Sequence, residues 1–370
     1  MIFKNATVLG PDFQFRRTDF ETENGKVVRM GDIPGPGEDL SGRYVVPGLL
    51  DLHTHGAAGY DYLDGTPEAL RTICSYMRSV GTTSVFATVM TQDPARMRQA
   101  VEQAARMAKE GAQDCAHIRG IYLEGPFFSY RYRGAQHPDY LQKPDEEAFA
   151  YLTGPAGDLP LAVALAPELE GAPELVAAHP GLYFTAAHTD ADYEQGKTAL
   201  EAGVRGLTHT FNAMRGLDHH NPGLISAFLE DDRVFCECIC DGIHVHPSLI
   251  RMLYRAIGRE RFMVISDSLA PTGLPAGTAQ SGGQRITIRD GCAYLDSGKI
   301  AGSITHSLQE VRNLIRWGIC TPEDAFYAAT AVPARAVGLG DAIGKLAPGF
   351  SADFLVLDPD YKLLRVYLGQ

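Results

Sequence analysis

Short apolar runs alternate with longer amphipathic stretches through the middle of the chain. The apolar runs have the length of β-strands and span residues 83–89, 118–123, 162–166, 183–187, 206–208, 234–239 and 262–265. The amphipathic stretches predict helices over residues 67–80, 93–110, 193–202 and 247–257. Strands that alternate with helices are typical of a parallel sheet. About eight such units fit the chain, but the alternation alone does not distinguish a barrel from an open, doubly wound sheet.

The two ends of the chain show a different pattern. Residues 2–9 and 26–30 near the start, and residues 352–358 and 361–367 near the end, are predicted to form short strands, with a Gly/Pro-rich connector at 31–39. Neither end has enough apolar residues for a core of its own. We therefore expect residues 1–46 and 345–370 to pair into one small β domain beside the α/β domain of residues 47–344.

Length and charge narrow the class of protein. A chain of 370 residues suits one barrel of about 250 residues with extra segments. The net charge of −12 argues against a nucleic-acid partner, which normally meets a basic surface. The start of the chain lacks a signal-peptide pattern, and no apolar run approaches the roughly 20 residues of a membrane span. We expect a soluble cytoplasmic protein with no membrane partner, and its seven scattered cysteines predict no structural disulfide.

Candidate metal ligands stand at the ends of the apolar runs. His53 and His55 lie two residues apart in the sequence LLDLHTHG (49–56), so on a strand both imidazoles point the same way and can reach one ion. Glu124, His188 and His209 each follow an apolar run directly, and Asp267 follows the run 262–265 after one serine. The C-terminal strand ends of a barrel converge on one face. The repeated pattern therefore predicts one metal centre, formed by His53, His55, Glu124, His188, His209 and Asp267.

The donor set indicates the kind of ion and its chemistry. Imidazole and carboxylate ligands without cysteine suit zinc, iron, manganese, nickel or cobalt more than a structural thiolate site. We expect one or two divalent ions, with zinc as the first candidate. Asp267 is the candidate to take the proton from an attacking water and pass it to a leaving amine. His244 follows the strand-end sequence 240–243 and faces the predicted site.

Three cysteines alternate along the apolar run 234–239 and just beyond it. Cys236, Cys238 and Cys240 share one strand face, an arrangement that would also suit a metal. Free cysteine is among the most buried residue types. We interpret the three thiols as small apolar packing groups.

Several motifs together are similar to those of one enzyme family. They are PGLLDLHTHG (47–56), LEGPF (123–127), LAPE (165–168), THTFNAM (208–214), DGIH (241–244), SD (266–267), AGS (301–303) and GKLAPG (344–349). On these motifs the chain resembles the N-acetylglucosamine-6-phosphate deacetylases of the amidohydrolase superfamily, over nearly its full length. The resemblance implies a (β/α)₈ TIM-like barrel, a small β-sandwich built from both chain ends, and a homodimer.

The resemblance also implies roles for individual residues. Glu124, His188 and His209 would hold the main metal, while His53 and His55 would allow a second. Asp267 would be the catalytic acid and base, and His244 would help to polarise the carbonyl of the substrate. The implied substrate-binding residues are Ala135, Gln136, Asn212, Ala213, His220, Asp241, His244, Gly302, Ser303 and Ile304.

The sequence departs from the family pattern at two positions. His220 stands where the family usually has an arginine that is donated across the dimer to the 6-phosphate, and an imidazole lacks the bidentate fork of a guanidinium. Either Arg215, Arg131 or Arg133 compensates, or the substrate lacks the phosphate. Ala187 replaces a usual glycine before His188, which we interpret as a change in packing.

The first hypothesis is hydrolysis of the acetamide of N-acetylglucosamine 6-phosphate to glucosamine 6-phosphate and acetate. A related or unphosphorylated N-acetyl-hexosamine is the alternative within this reaction. The rival within the superfamily, hydrolysis of a cyclic amide or deamination of a heterocycle, is disfavoured because many ring-opening relatives have a lysine at the position of Glu124. A catalytically silent scaffold is disfavoured because every ligand position and Asp267 remain.

Overall fold

The computed structural model describes residues 1–112 and 114–369. In chain order, its strands are β1 (Ile2–Leu9), β2 (Phe15–Glu23), β3 (Lys26–Gly31), β4 (Glu38–Asp39), β5 (Tyr44–Pro47), β6 (Leu49–Thr54), β7 (Gly56–Ala57), β8 (Tyr60–Asp61), β9 (Thr82–Met90), β10 (His117–Glu124), β11 (Leu161–Leu165), β12 (Tyr183–Ala186), β13 (Gly206–Leu207), β14 (Phe235–Cys238), β15 (Phe262–Val264), β16 (Gly277–Ser281), β17 (Gln284–Arg289), β18 (Cys292–Leu295), β19 (Ile300–Gly302), β20 (Phe354–Leu357) and β21 (Leu363–Tyr367).

Most of the helices lie between the strands of the central region. They are α1 (Pro67–Ser79), α2 (Pro94–Glu110), α3 (Glu146–Thr153), α4 (Ala172–Ala178), α5 (Tyr193–Ala202), α6 (Gly223–Glu230), α7 (Pro247–Ile257), α8 (Ser307–Arg316), α9 (Pro322–Ala328) and α10 (Ala331–Ala336). Short 3₁₀ helices occur at Tyr62–Asp64, Pro138–Tyr140 and Gly154–Ala156. Sequence signals mark the helix starts: Thr66 caps α1 and is followed by Pro67 at the first helical position.

The centre of the molecule is a closed parallel barrel. Strands β6 and β9 to β15 pair in sequence order, and each is followed by one of the helices α1 to α8. Thr54 bridges to Ser268 beyond β15, and the backbone N–H of Asp267 donates to the carbonyl of His53 at 2.8 Å. This contact joins the first strand to the last. The prediction of a TIM-like barrel is confirmed, and the open sheet is excluded.

Strands from both chain ends share a second sheet. Its order is β21–β20–β5–β1–β2–β3, with β4 beside β1. Phe3 stacks on Phe20 with ring centroids 4.7 Å apart, and Phe354 meets both rings edge-on. The expected pairing of the two chain ends is therefore observed. The division into domains at residues 46 and 345 stays a prediction.

A small antiparallel sheet is inserted between β15 and α8, and the sequence reasoning missed it. Strands β16 to β19 pair in order. Gly282 and Gly283 both have positive φ at the first hairpin turn, as do Asp290 and Gly291 at the second. Two-residue turns of this kind match the twist of a hairpin and are a recognisable sequence signal. The insertion matters for function because β19 reaches the candidate site described below.

Within the described residues, no helix has both the length and the apolar character that crossing a membrane requires.

Candidate metal centre

The barrel brings the predicted ligands together at the C-terminal ends of its strands. His53 lies in β6, with His55 just beyond it, and Glu124 is the last residue of β10. His188 and His209 lie two residues beyond β12 and β13. All five side chains are almost completely buried. Convergence at one face of the barrel is the arrangement expected for catalytic groups in this fold.

Glu124 is shared by two groups of ligand atoms. Its Oε1 lies 3.2 Å from His188 Nε2 and 3.3 Å from His209 Nε2. Its Oε2 lies 3.3 Å from His55 Nε2, and Oε1 lies 3.4 Å from His53 Nε2. In the described part of the chain, the sets able to hold a metal are His53, His55 and Glu124, and Glu124, His188 and His209.

The spacing of these atoms fits a metal ion better than hydrogen bonding alone. His188 Nε2 lies 3.2 Å from His209 Nε2, and His53 Nε2 lies 3.3 Å from His55 Nε2. Ligands bound about 2.0–2.1 Å from a tetrahedral ion are separated by about 3.3–3.4 Å. Two neutral imidazoles, in contrast, gain little by directing their lone pairs at one another. The donor set therefore fits one or two divalent ions.

The local electrostatics favour the ligand forms of Glu124 and His188. Burial acts to raise the pKa of the Glu124 carboxyl, but the neighbouring His55 and His53 hold it well below its usual value. Burial lowers the pKa of His188. A carboxylate and a neutral imidazole are the forms that bind metal.

Asp267 completes the centre from the segment that follows the last barrel strand, β15. Its Oδ1 lies 3.3 Å from His55 Nε2 and 3.5 Å from His53 Nε2. The residue borders the cavity and is 9% exposed. It therefore lies within reach of both the ligand set and a bound substrate.

Three of these side chains are carried by unusual backbone. His188, His209 and Asp267 have φ values of 45°, 28° and 48°. Positive φ is uncommon outside glycine and persists only where the surroundings impose it. At Asp267 the neighbours on both sides hold the backbone, since its carbonyl also accepts the N–H of Ser303 at 3.0 Å.

A cavity of about 210 Å³ opens directly over the ligands. Of the expected substrate-binding residues, it is lined by Ala135, Gln136, Asn212, Ala213, His244 and Gly302. Sequence reasoning had not assigned several other lining residues, namely Met90, Gly134, Leu269, Ile300 and Ala301. No sequence signal separates these small or apolar residues from the core, because only the folded loops bring them to the site.

Gln136 has a contact that the sequence did not suggest. Its side-chain amide donates to Glu124 Oε2, and its carbonyl oxygen accepts the N–H of Thr91 at 2.9 Å. The residue is 4% exposed. Gln136 therefore orients the shared metal ligand in addition to bordering the cavity.

His244 presents one nitrogen to the cavity. Its Nδ1 lies 2.7 Å from Asp241 Oδ2, and among the described residues its buried Nε2 has no hydrogen-bond partner. Burial acts to raise the pKa of Asp241, but the hydrogen bond with His244 holds it below its usual value. Asp241 therefore stays ionised and orients the ring. Asp241 does not itself line the cavity.

Other expected substrate residues lie away from the cavity in the single chain. Ser303 is buried and its hydroxyl donates to the carbonyl of Ser266. Ile304 packs against the small core beneath the inserted sheet. His220 is exposed, with its ring 3.9 Å from that of His219. The binding roles of these residues stay predictions.

The arginines near the cavity have partners of their own. Asp190 binds Arg131 at 2.9 Å and Arg215 at 2.8 Å. Arg133 stacks on Tyr130 with its guanidinium 4.2 Å from the ring centre. No lysine or arginine appears among the cavity-lining residues of the described chain.

The alternating cysteines lie in the apolar core. Cys236, Cys238 and Cys240 are fully buried, and none belongs to a candidate metal group in the described chain. Between the first two lies Glu237, a buried carboxylate that sequence reasoning overlooked. Its signal was similar to that of Glu124, because a charged residue stands inside the apolar run 234–239, where Glu124 stands at the end of one.

Comparisons with known proteins agree with this geometry. The model of the Amidohydrolase family matches residues 44–368. The chain is 36% identical to an N-acetylglucosamine-6-phosphate deacetylase of Vibrio furnissii, over 88% of this chain and 81% of the relative. It is 30% identical to an N-acetylgalactosamine-6-phosphate deacetylase of Escherichia coli O157:H7, over 96% of this chain and 93% of the relative.

A solved structure is similar over the full length of the chain. It is a mutant N-acetyl-D-glucosamine-6-phosphate deacetylase from Mycobacterium smegmatis in complex with N-acetyl-D-glucosamine-6-phosphate. The TM-score is 0.93 at 32% sequence identity, and the match covers 100% of this chain and 98% of the other. The similarity therefore includes the barrel, the terminal sheet and the inserted sheet.

Proposed function

Because the chain belongs to the amidohydrolase family, we propose that it hydrolyses the acetamide of N-acetylglucosamine 6-phosphate to glucosamine 6-phosphate and acetate. The observation that carries this proposal is the convergence of two His/Glu ligand groups, Asp267 and His244 on one cavity. The deacetylases to which the chain is similar add support for the substrate class. The N-acetylgalactosamine epimer is a second candidate, because one relative carries that name.

The chain's own residues divide the chemistry among them. Glu124, His188 and His209 would hold the main ion, and His53 with His55 would hold a second. When bound, such an ion lowers the pKa of a water molecule to about 7 and polarises a carbonyl oxygen. Asp267 accepts the proton of the attacking water and delivers it to the leaving amine. With protons on both ring nitrogens, one of them held by the Asp241 carboxylate, His244 donates an Nε2–H hydrogen bond to the acetyl oxygen, where negative charge develops.

Three further properties belong to this proposal. We propose zinc as the metal, since imidazole and carboxylate donors without thiolate suit it, although iron, manganese, nickel and cobalt share this preference. We propose a homodimer, as the resemblance implied. We propose a cytoplasmic location, which agrees with the absence of a membrane-spanning helix from the described residues.

The phosphate end of the substrate is proposed to lie at the rim of the cavity. Arg133 adjoins the lining residue Gly134, and Arg215 lies two residues beyond Ala213. Both arginines therefore lie within two residues of a lining residue in the sequence, whereas no arginine lines the cavity itself. His220 lies on the same rim loop as Arg215. The phosphate would therefore be held remote from the reacting carbonyl.

Acetate release from four substrates tests this function. We expect kcat/KM to be highest for a 6-phosphorylated N-acetyl-hexosamine, by at least about tenfold over the unphosphorylated sugar. The difference should lie mainly in KM, because a remote phosphate binds the ground state and the transition state alike. The measurement compares N-acetylglucosamine and N-acetylgalactosamine with and without the 6-phosphate. Equal kcat/KM values would contradict phosphate recognition, and no acetate from any of the four would contradict the deacetylase.

Replacement of His244 tests its role at the carbonyl. We expect His244→Asn to lower kcat by about 10²-fold, as loss of one oxyanion donor does elsewhere, with metal content unchanged. His179→Asn is the matched control, because His179 contacts Glu146 outside the cavity. Steady-state kinetics and metal analysis of both purified variants provide the measurement. An unchanged kcat in His244→Asn would remove this residue from the reaction.

A further inference from the structure

Glu237 is a buried carboxylate that the proposed reaction does not use. It lies in the middle of β14 and is 0% exposed. Its contacts with His53 and Tyr122 show that it points into the barrel. Burying an ionised carboxylate is costly unless it is paired and hydrogen-bonded. The barrel must therefore supply partners for this group.

A chain of hydroxyl groups supplies one of these partners. The hydroxyl of Tyr122 donates to Glu237, with 3.2 Å to each carboxylate oxygen. The Tyr122 oxygen also lies 2.8 Å from Thr208 Oγ1, which lies 2.8 Å from Thr185 Oγ1. A carboxylate can only accept hydrogen bonds, so the Tyr122 hydroxyl is the donor in this contact. Glu237 is consequently an acceptor in a layer directly beneath the metal ligands.

The other partner is the ring of His53. Its Nδ1 lies 3.4 Å from Glu237 Oε2, and His53 is the only cationic or titratable base within 4.0 Å of this carboxylate in the described chain. A proton on Nδ1 leaves the lone pair on Nε2. That nitrogen faces Glu124 and His55 at 3.4 Å and 3.3 Å.

The four imidazoles of the centre are not oriented equally. His188 Nδ1 lies 3.0 Å from the carbonyl of Tyr132. In the described chain, Nδ1 of His55 and Nδ1 of His209 are buried without a partner. His53 is thus the ligand whose outer nitrogen meets a carboxylate. A carboxylate in this position fixes the tautomer of a metal-binding histidine and raises its basicity.

We propose that Glu237 is a positioning residue that makes His53 a metal ligand through Nε2, and so allows the group of His53, His55 and Glu124 to hold a second divalent ion. The inference rests on the metal dependence in the proposed function. It makes binding of the second ion depend on Glu237, a residue outside the ligand set. Loss of such a partner typically weakens metal affinity by about 10–100-fold.

Zinc titration of the full-length protein, freed of metal and competed with a chelator, tests this inference. We expect wild type to bind two ions and Glu237→Gln to bind the second about 10–100-fold more weakly, with the first unchanged. Glu310→Gln is the matched control, because Glu310 is also a fully buried carboxylate but contacts none of the ligands. This control should leave both affinities unchanged. Glu237→Asp keeps the charge but moves it away from His53 by one methylene, so it should also weaken binding of the second ion. This variant replaces Glu237→Gln in the experiment if Glu237→Gln does not fold.

Each other outcome has a distinct meaning. Unchanged zinc affinities with a lower Tm of the metal-free variant would overturn the inference and make Glu237 a structural group. Equal weakening of both ions, or a single ion in wild type, would also overturn it. Acetate release by the wild-type protein is measured in parallel, so that the deacetylase proposal stands or fails independently of Glu237.

Discussion

Asp267→Asn is expected to lower kcat for acetate release by about 10²–10⁴-fold while the ion of Glu124, His188 and His209 stays bound. The amide has nearly the shape of the carboxylate but cannot accept and return a proton, which is the contribution of a general acid and base. Asp267 contacts the imidazoles of His53 and His55 and borders the cavity. Steady-state kinetics and metal analysis of the same preparation measure both effects.

The control separates loss of the proton shuttle from loss of charge or fold. Asp139→Asn makes the same chemical change at an exposed position that does not line the cavity and should leave kcat unchanged. If Asp267→Asn loses both ions, Asp267 is chiefly a ligand. If it keeps wild-type kcat, another group carries the proton. We do not expect a higher pH to restore kcat in Asp267→Asn, because asparagine lacks a proton-accepting carboxylate at any pH.

The metal ligands were predictable because their positions follow from the fold. Glu124, His188 and His209 each stand at the end of an apolar run, and parallel strands in a barrel bring such ends to one face. The helices at 193–202 and 247–257 were predicted at the bounds observed for α5 and α7. These features depend on local periodicity and on one rule of topology, so a single sequence is enough to derive them.

The remaining features depend on contacts between distant segments. Glu237 meets His53 across the barrel over a sequence separation of 184 residues, and its apolar neighbours gave no indication of that pairing. Gln136 reaches Glu124 only because the loop after β10 folds back. The positive φ of His188 and His209 is imposed by tertiary structure on residues whose identity does not require it.

His220 shows the limit of transferring a role by resemblance. Its position in the motif predicts a phosphate contact, yet in one chain it is an exposed loop residue stacked on His219. A contact made by a neighbouring subunit leaves no trace in the packing of a single chain. The substrate comparison therefore tests the phosphate site more directly than the sequence does.

Glu124→Gln is expected to abolish tight binding of both ions and, with it, acetate release. Among the described residues, Glu124 is the member common to both ligand groups. Its Oε1 contacts His53, His188 and His209, and its Oε2 contacts His55. In glutamine an NH₂ group replaces one carboxylate oxygen, so only one oxygen is left to bind metal, and the negative charge is lost. Metal content after dialysis against a chelator, together with acetate release, measures the loss.

Variants in the histidines show whether Glu124 truly joins two sites. His55→Asn removes a ligand from one group and should lower metal content by one ion, whereas Glu124→Gln should remove both. Because the carboxylate is shared, adding His55→Asn to Glu124→Gln should cause little further loss, and this non-additivity is the signature of residues in one network. Two independent losses that simply add would mean that the oxygens of Glu124 serve separate, uncoupled sites. A Glu124→Gln protein that retains one ion would mean that histidines and Asp267 suffice to hold it.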